Sequence, residues 1–196
     1  MRSSDLTTRA RIRDAAILRF GTDGFRAGVR AIAEDAGVSA GLVLHHFGSK
    51  DALRQECDRY VLDTIRKAKA DGDQSAGALP SPDLVGSFAH VLAYLLRGLQ
   101  EGGEVAAPFV SYFVDYAREY CAAGVAAGSV VPSSNEEARA RQLAMQLLGA
   151  LLLDHSTRPA GMDDTTYFAG YLNRSAVPTL ELLTNGLFTR QDDSPT

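Results

Sequence analysis

Apolar residues recur at three- and four-residue intervals along nearly the whole of this 196-residue chain. That is the period of helices with one buried face, not the alternation of half-buried strands. Ile12, Ala16 and Phe20 fall every four residues in a pattern that begins near Thr8 and stops at Gly21 to Gly24, which predicts a first helix. Val29, Ile32, Ala33 and Ala36 then line one face of a short helix and leave Arg30, Glu34 and Asp35 to water. Gly37 is suited to the left-handed backbone that ends a helix, and Ser39 offers a hydroxyl to the free amides of the next one. Val38, Val43 and Phe47 supply the inward side of that second helix, while Ser39, Ala40, Leu42, Leu44 and His45 face outward. Two short helices joined by so tight a turn cross steeply, and an outward face of small residues with few charges suits entry into a DNA major groove. The plainer reading of the same pattern is a helical corner in a core.

The rest of the chain keeps the helical period. Ser49 is a suitable N-cap for a helix that carries Asp51 at its positive end and runs through Leu53, Cys57, Tyr60, Val61 and Ile65 to about Lys69. Asp71 to Pro82, rich in Gly, Ala, Ser and Pro, reads as a loop, and Ser81-Pro82-Asp83 opens a helix ending near Leu99. Gly102-Gly103 break the pattern, and a helix carrying Phe109, Tyr112, Phe113, Tyr116 and Tyr120 follows until Gly124 to Pro132. Ser134-Asn135-Glu136-Glu137 resembles a helix start, with a helix continuing to about His155; the last spans about Thr165 to Leu187 and is bent by Pro178. From Leu143 to Leu153 almost every residue is apolar, too short a run to cross a bilayer. Such a helix needs partners on all sides. The expected arrangement packs one face on its own domain and the other on a second subunit, with Leu143, Leu147, Gly149, Leu151, Tyr171 and Leu182 in a four-helix interface where Gly149 allows close approach.

The length and a hydrophobic content of 45% suffice for a sizeable core. A net charge of −4 looks wrong for a nucleic-acid binder until it is divided: residues 1–70 hold 13 Lys or Arg against 9 Asp or Glu, and residues 71–196 hold 7 against 15. A basic head neutralises phosphates while an acidic body stays off the duplex. Cys57 and Cys121 form no metal-binding or redox pattern, and no signal peptide precedes them, which suits reduced thiols in a cytoplasmic protein. Met1 to Thr8 is polar and reads as a mobile arm near phosphates. His45 and His46 point about 100° apart on a helix and lack a further ligand at suitable spacing, so no metal is expected.

The run Ile32-Ala33-x-x-Ala36-Gly37-Val38-Ser39-x-Gly41, then His46-Phe47, then Gly48-Ser49-Lys50-Asp51-x-Leu53, resembles the tetracycline-repressor (TetR) family. Arg11-Ile12-Arg13-Asp14-Ala15-Ala16, Phe20 and Gly24-Phe25 look like that family's first helix and the turn after it, so the likeness covers about the first 55 residues. It implies an all-α fold: an N-terminal three-helix helix-turn-helix domain over residues 1–50, a connecting helix over 50–69, and a C-terminal helical ligand-binding and dimerisation domain over 70–196. It also implies a DNA-facing set of Gly28, Arg30, Ser39, Ala40, Gly41, Leu42, Leu44, His45, His46 and Lys50, with Lys50 on a phosphate. Three positions depart from the pattern: Gly28 replaces a capping Thr, Leu44 replaces a DNA-contacting Tyr, and Leu42 takes a place often held by Ser or Thr. Base reading then leans on apolar contact with thymine methyls, on Ser39 and on His45.

The resemblance further implies a ligand-responsive transcription regulator, a repressor that binds a pseudo-palindromic double-stranded DNA operator as a homodimer, with an unidentified small-molecule effector, no cofactor and no membrane partner. Effector-lining candidates are Phe88, Tyr94, Phe109, Tyr112, Phe113, Tyr116 and Met145, although an aromatic stripe also serves as plain core. The alternatives are a helical small-molecule-binding protein that has lost operator binding, motivated by Gly28 and Leu44, and a small all-α enzyme using Tyr112, Tyr116 and His90. Catalysis is not expected, because His90 and His155 are isolated, no glycine-rich phosphate loop exists, and the acidic residues fall on helix starts and exposed faces.

Overall fold

The computed structural model describes residues 3–71 and 88–185. Among them there are eight helices and no strand: α1 (Ser3–Asp23), α2 (Val29–Asp35), α3 (Ala40–Phe47), α4 (Lys50–Asp71), α5 (Ala89–Glu101), α6 (Gly103–Ala126), α7 (Glu136–Ser156) and α8 (Asp164–Asn185). The predicted helix start at Ser81 to Asp83, most of the predicted loop before it, and the predicted end at Leu187 lie outside the described residues. Helix α1 begins at Ser3, so most of the segment expected as a mobile arm is the first turn and a half of a helix. Helix α6 runs on through Pro108 in its second turn, where the ring forgoes one backbone bond on an exposed face.

Local chemistry sets the boundaries. After α2, the Gly37 amide bonds the Glu34 carbonyl at 3.0 Å and the Val38 amide bonds that of Ala33 at 2.9 Å, with Gly37 at φ +62°. This paired closure satisfies carbonyls that a helix end otherwise leaves open. The Ser39 hydroxyl oxygen accepts the Leu42 amide at 3.2 Å, that of Ser49 accepts Ala52 at 3.0 Å, and the Asn135 side chain accepts Ala138 at 3.0 Å. All three are helix N-caps.

One apolar cluster extends from the helix-turn-helix into the middle of the chain. It joins Ile12, Ile17 and Phe20 of α1 to Ile32 of α2, Val43 of α3, Leu53 and Val61 of α4, Tyr94 and Leu95 of α5, and Phe109 of α6. Side chains of this size stabilise by about 1.5–3 kcal/mol each when fully buried. Helix α1 lies along α5, and Gly21 permits the approach: a Cβ there would stand 3.3 Å from the Tyr94 amide nitrogen. Phe20, Phe25, Tyr94 and Phe109 form a chain of aromatic rings through this contact, with successive centroids 5.2–6.3 Å apart. Gly98 provides a second tight fit, since a Cβ on it would stand 2.5 Å from the Phe109 ring.

Two smaller clusters complete the body. Ala89, Ala93 and Leu96 of α5 pack on Tyr167 and Phe168 of α8, and Val114 and Ala117 of α6 pack on Ala140 and Ala144 of α7. No helix among the described residues is long and apolar enough to cross a membrane.

Candidate nucleic-acid interface

Helix α3 is anchored on one side and open on the other. Val43 and Phe47 are buried, whereas Gly41, Leu44 and His45 are exposed and Ala40, Leu42 and His46 are half-buried. Of the remaining predicted residues, Gly28 and Arg30 are exposed at the start of α2, Ser39 is exposed ahead of α3, and Lys50 is half-buried at the start of α4. Gly28 holds the N-cap position of α2 with extended backbone and makes no side-chain cap bond. The Ser39 oxygen is already engaged as the cap of α3, which leaves its hydroxyl proton and one lone pair for DNA. The His45 and His46 ring centroids are 5.7 Å apart, and no group of three metal-ligating side chains occurs among the described residues.

The basic head is less free than its charge suggests. Arg13, Arg19, Arg54, Arg59 and Arg66 form ion pairs with acidic residues of the same region, and Arg13 also lies over the Tyr60 ring at 3.5 Å. Arg19 makes a two-pronged contact with Asp35, at 2.7 Å from Nε, and reaches Asp23 at 2.9 Å. The Arg19 guanidinium holds the Asp35 carboxyl below its ordinary value. Arg26, Arg30 and Lys50 have no ion pair with the described residues and remain available for phosphates; Arg26 was not singled out in the sequence, and only its exposure beside α2 marks it.

The aromatic set divides. Tyr94 and Phe109 are fully buried in the main cluster, with Phe88, Tyr112 and Phe113 packed at its edge. Tyr116 is half-buried and stacks on Tyr120, and Met145 is half-buried on α7. Tyr94 donates its hydroxyl to Asp58 Oδ1 at 2.7 Å, and Asp58 also pairs with Arg54 at 2.9 Å. Burial, more than the tyrosine and arginine partners offset, pushes the Asp58 carboxyl up. A cleft of about 350 Å³ lies elsewhere, between Leu18, Gly21 and Thr22 of α1, Ala89, His90 and Ala93 of α5, and Asp163 to Thr165 at the start of α8. None of the aromatic set lines it.

The six residues expected between subunits also divide. Leu147 and Leu182 are exposed, Leu143 packs on the α6–α7 cluster, and Leu151 and Tyr171 pack on the α5–α8 cluster. At Gly149 a Cβ would meet nothing within 4 Å among the described residues, so no close approach to another described helix occurs there. Leu153, at the end of the apolar run noted in the sequence, is exposed, as are Val177, Leu180 and Leu183 of α8, which the sequence does not single out.

Residues 12–57 match the family model for bacterial regulatory proteins of the tetR family, and residues 86–189 match the model for the tetracyclin repressor-like C-terminal domain. The chain is 45% identical over 190 residues to the HTH-type transcriptional regulatory protein RaaS of Mycobacterium tuberculosis, a match covering 95% of this chain and 90% of that protein. Its fold is similar to the transcriptional regulator FadR of Bacillus subtilis, solved with stearoyl-CoA, at TM-score 0.63 and 18% identity over 91% of this chain and 99% of that one. It is also similar to NalD, the secondary repressor of the MexAB-OprM multidrug efflux pump in Pseudomonas aeruginosa, at TM-score 0.58 and 22% identity over 96% and 100%. With both halves matched and a relative this similar along nearly the whole chain, the protein belongs to the TetR family of DNA-binding transcriptional regulators.

Proposed function

We propose that the protein is a homodimeric repressor whose two α3 helices read the halves of a pseudo-palindromic operator and which an apolar or aromatic small molecule releases. The open, sparsely charged face of α3 on its buried Val43 and Phe47 anchor carries the reading. A helix of eight residues reaches few base pairs, so two heads set about one helical turn apart are needed for affinity and for a two-fold site. Residues 1–50 act as the reading head, 50–69 as the connecting helix and 70–196 as the effector and dimer body. Gly28, Arg30, Ala40 to Leu42, Leu44 and His46 lie along the duplex, Ser39 and His45 reach groove edges, and Lys50 reaches a phosphate.

Effector entry is assigned to the half-buried edge made by Phe88, Tyr112, Phe113, Tyr116 and Met145, with Tyr94 and Phe109 as the buried wall behind it. Support for an apolar effector comes from the stearoyl-CoA in the FadR structure, and support for repression from the description of NalD. A signal from this edge has two routes to the head, α4 and the α1–α5 contact through Tyr94. Release requires the effector to bind the DNA-incompetent state more tightly, by about 2.7 kcal/mol for a hundredfold effect.

Footprinting on the DNA upstream of the protein's own gene tests this: two protected half-sites about one helical turn apart are expected. Stearoyl-CoA and a panel of aromatic compounds are then titrated in. Tyr112→Ala weakens effector binding and spares the operator. Effector binding without any retarded DNA supports instead the small-molecule-binding protein without an operator.

A further inference from the structure

We propose that Arg9 is a positioning residue for DNA reading, a clamp from α1 that fixes the tilt of α3 without touching DNA. Its Nη1 donates to the carbonyl of His46 in the last turn of α3, its guanidinium lies over the Phe47 ring at 4.3 Å, and its Nη2 stands 3.7 Å from Glu56 Oε2 on α4. One side chain therefore caps the carbonyl end of α3, stacks on its core anchor and pairs with the following helix. A cation suits this place, because the last carbonyls of a helix carry its negative end.

Arg19 does the equivalent for α2, gripping Asp35, the last residue of that helix. Helix α1 thus holds the α2–α3 unit at two points, at Asp35 beside the turn at Gly37 and at the far end of α3. With the N-terminal end of α3 held at the turn, the C-terminal end that Arg9 secures and that carries Leu44 to His46 lies about 12 Å away, at 1.5 Å for each of its eight residues. Without Arg9, a tilt of about 10° about the turn moves that end, with His45 on it, by about 2 Å. Base-edge hydrogen bonds tolerate only about 0.5 Å of that. Attraction to phosphates acts over a screening length of about 8–10 Å and barely notices. Loss of the clamp therefore blurs sequence discrimination and leaves non-specific binding intact, the reverse of losing a phosphate contact.

The DNA arm of the test rests on the proposed operator binding; a second arm needs no DNA. Arg9→Met keeps an unbranched chain over Phe47 but removes the donor and the charge. Arg9→Lys restores the charge and one donor. Affinity is measured for the footprinted operator and for random duplex of equal length across a salt series. Arg9→Met is expected to lower the ratio of the two affinities about tenfold or more with the salt slope unchanged, and Arg9→Lys to recover part of it. Lys50→Ala, the phosphate reference, lowers the slope by about one. A slope that falls by about one in Arg9→Met with discrimination intact overturns the proposal and makes Arg9 a phosphate ligand. In the free protein, amide hydrogen exchange is expected to speed up over Leu44 to Gly48 in Arg9→Met and to stay unchanged over α2. Unchanged exchange at the end of α3 overturns the clamp. If the native protein shows no sequence preference, the operator reading fails while the exchange arm still decides the clamp.

Discussion

Helices α1 to α4 and helices α7 and α8 are finished to different degrees within one chain. In the head, large apolar side chains such as Ile12, Phe20, Ile32 and Leu53 have no exposed surface, and arginines tie the ends of the short helices to α1. In the last two helices, Leu153 is 69% exposed, Val177 71%, and Leu182 and Leu183 57% each. The head buries its large core side chains within a single copy, although Leu6, Leu18 and Leu44 are exposed on it. The last two helices leave apolar surface that a second copy covers in the proposed dimer, so the stability of one region is intramolecular and that of the other depends on protein concentration.

The comparison breaks most severely at Tyr94, by which α5 enters the core of the head. Tyr94→Ala removes a fully buried ring and leaves Asp58 without its hydroxyl donor, and is expected to cost about 3–5 kcal/mol in urea unfolding. Tyr94→Phe, which loses only the hydrogen bond, should cost about 1–3 kcal/mol. A loss below 1 kcal/mol for the alanine variant would show that the core does not run continuously from head to body.

Replacing Leu182 and Leu183 together by Glu tests the other side. Each leucine covered by a partner contributes about 1.5–3 kcal/mol, so the double variant should elute and scatter light as a monomer while keeping its helical circular dichroism. A dimer that persists places the interface elsewhere.

Acid should reach the body first. His155 is packed between Tyr167 and Phe168, and burial, then the nearby Arg158, lowers its pKa from the ordinary 6.5. A base with a lowered folded pKa binds fewer protons folded than unfolded, so its contribution is complete above pH 6.5 and is lost as pH falls below that value. His155→Gln should flatten this part of the stability profile, as read by thermal melts between pH 7 and pH 5. An unchanged slope would assign the loss to another group.

The smallest effect sharpens the description of the head. Gly28→Ser meets nothing within 4 Å of its Cβ and sits on ordinary extended backbone, so it should supply the missing cap of α2 for a gain of a few tenths of a kcal/mol. A melting temperature that falls instead would mean that the side chain is not accommodated.

Legibility followed the range of the interactions. The turn between α2 and α3 and the caps at Ser39, Ser49 and Asn135 involve residues three to five apart, and the sequence displays them directly. Arg9 and His46 are 37 positions apart, and Arg19 and Asp35 are 16 apart, so the arginines counted toward phosphate attraction could not be recognised as internal clamps from spacing. Tyr94 and Phe109 carried the right apolar character, but only packing placed them in a core shared with α1. Along Leu143 to Leu153 the apolar residues surround the helix, so no period distinguished the half-buried Leu143 and Leu151 from the exposed Leu147 and Leu153. The cleft beside His90 joins three segments far apart in sequence and left no local signature.

Gly21 gives the contact between α1 and α5 a practical meaning for building hybrid regulators. A head exchanged at the start of α4 brings its own residue to position 21, against the main chain of Tyr94 and Ala93. A donor with alanine there requires α1 or α5 to give by a few tenths of an ångström, and a longer side chain must in addition be accommodated beside α5, even when every operator-facing residue has been transplanted correctly. Compatibility between a borrowed specificity and a resident sensor is therefore decided partly on the side of the head that faces away from DNA, and a screen for functional hybrids should vary position 21 and its neighbours Leu18 and Thr22 along with the junction.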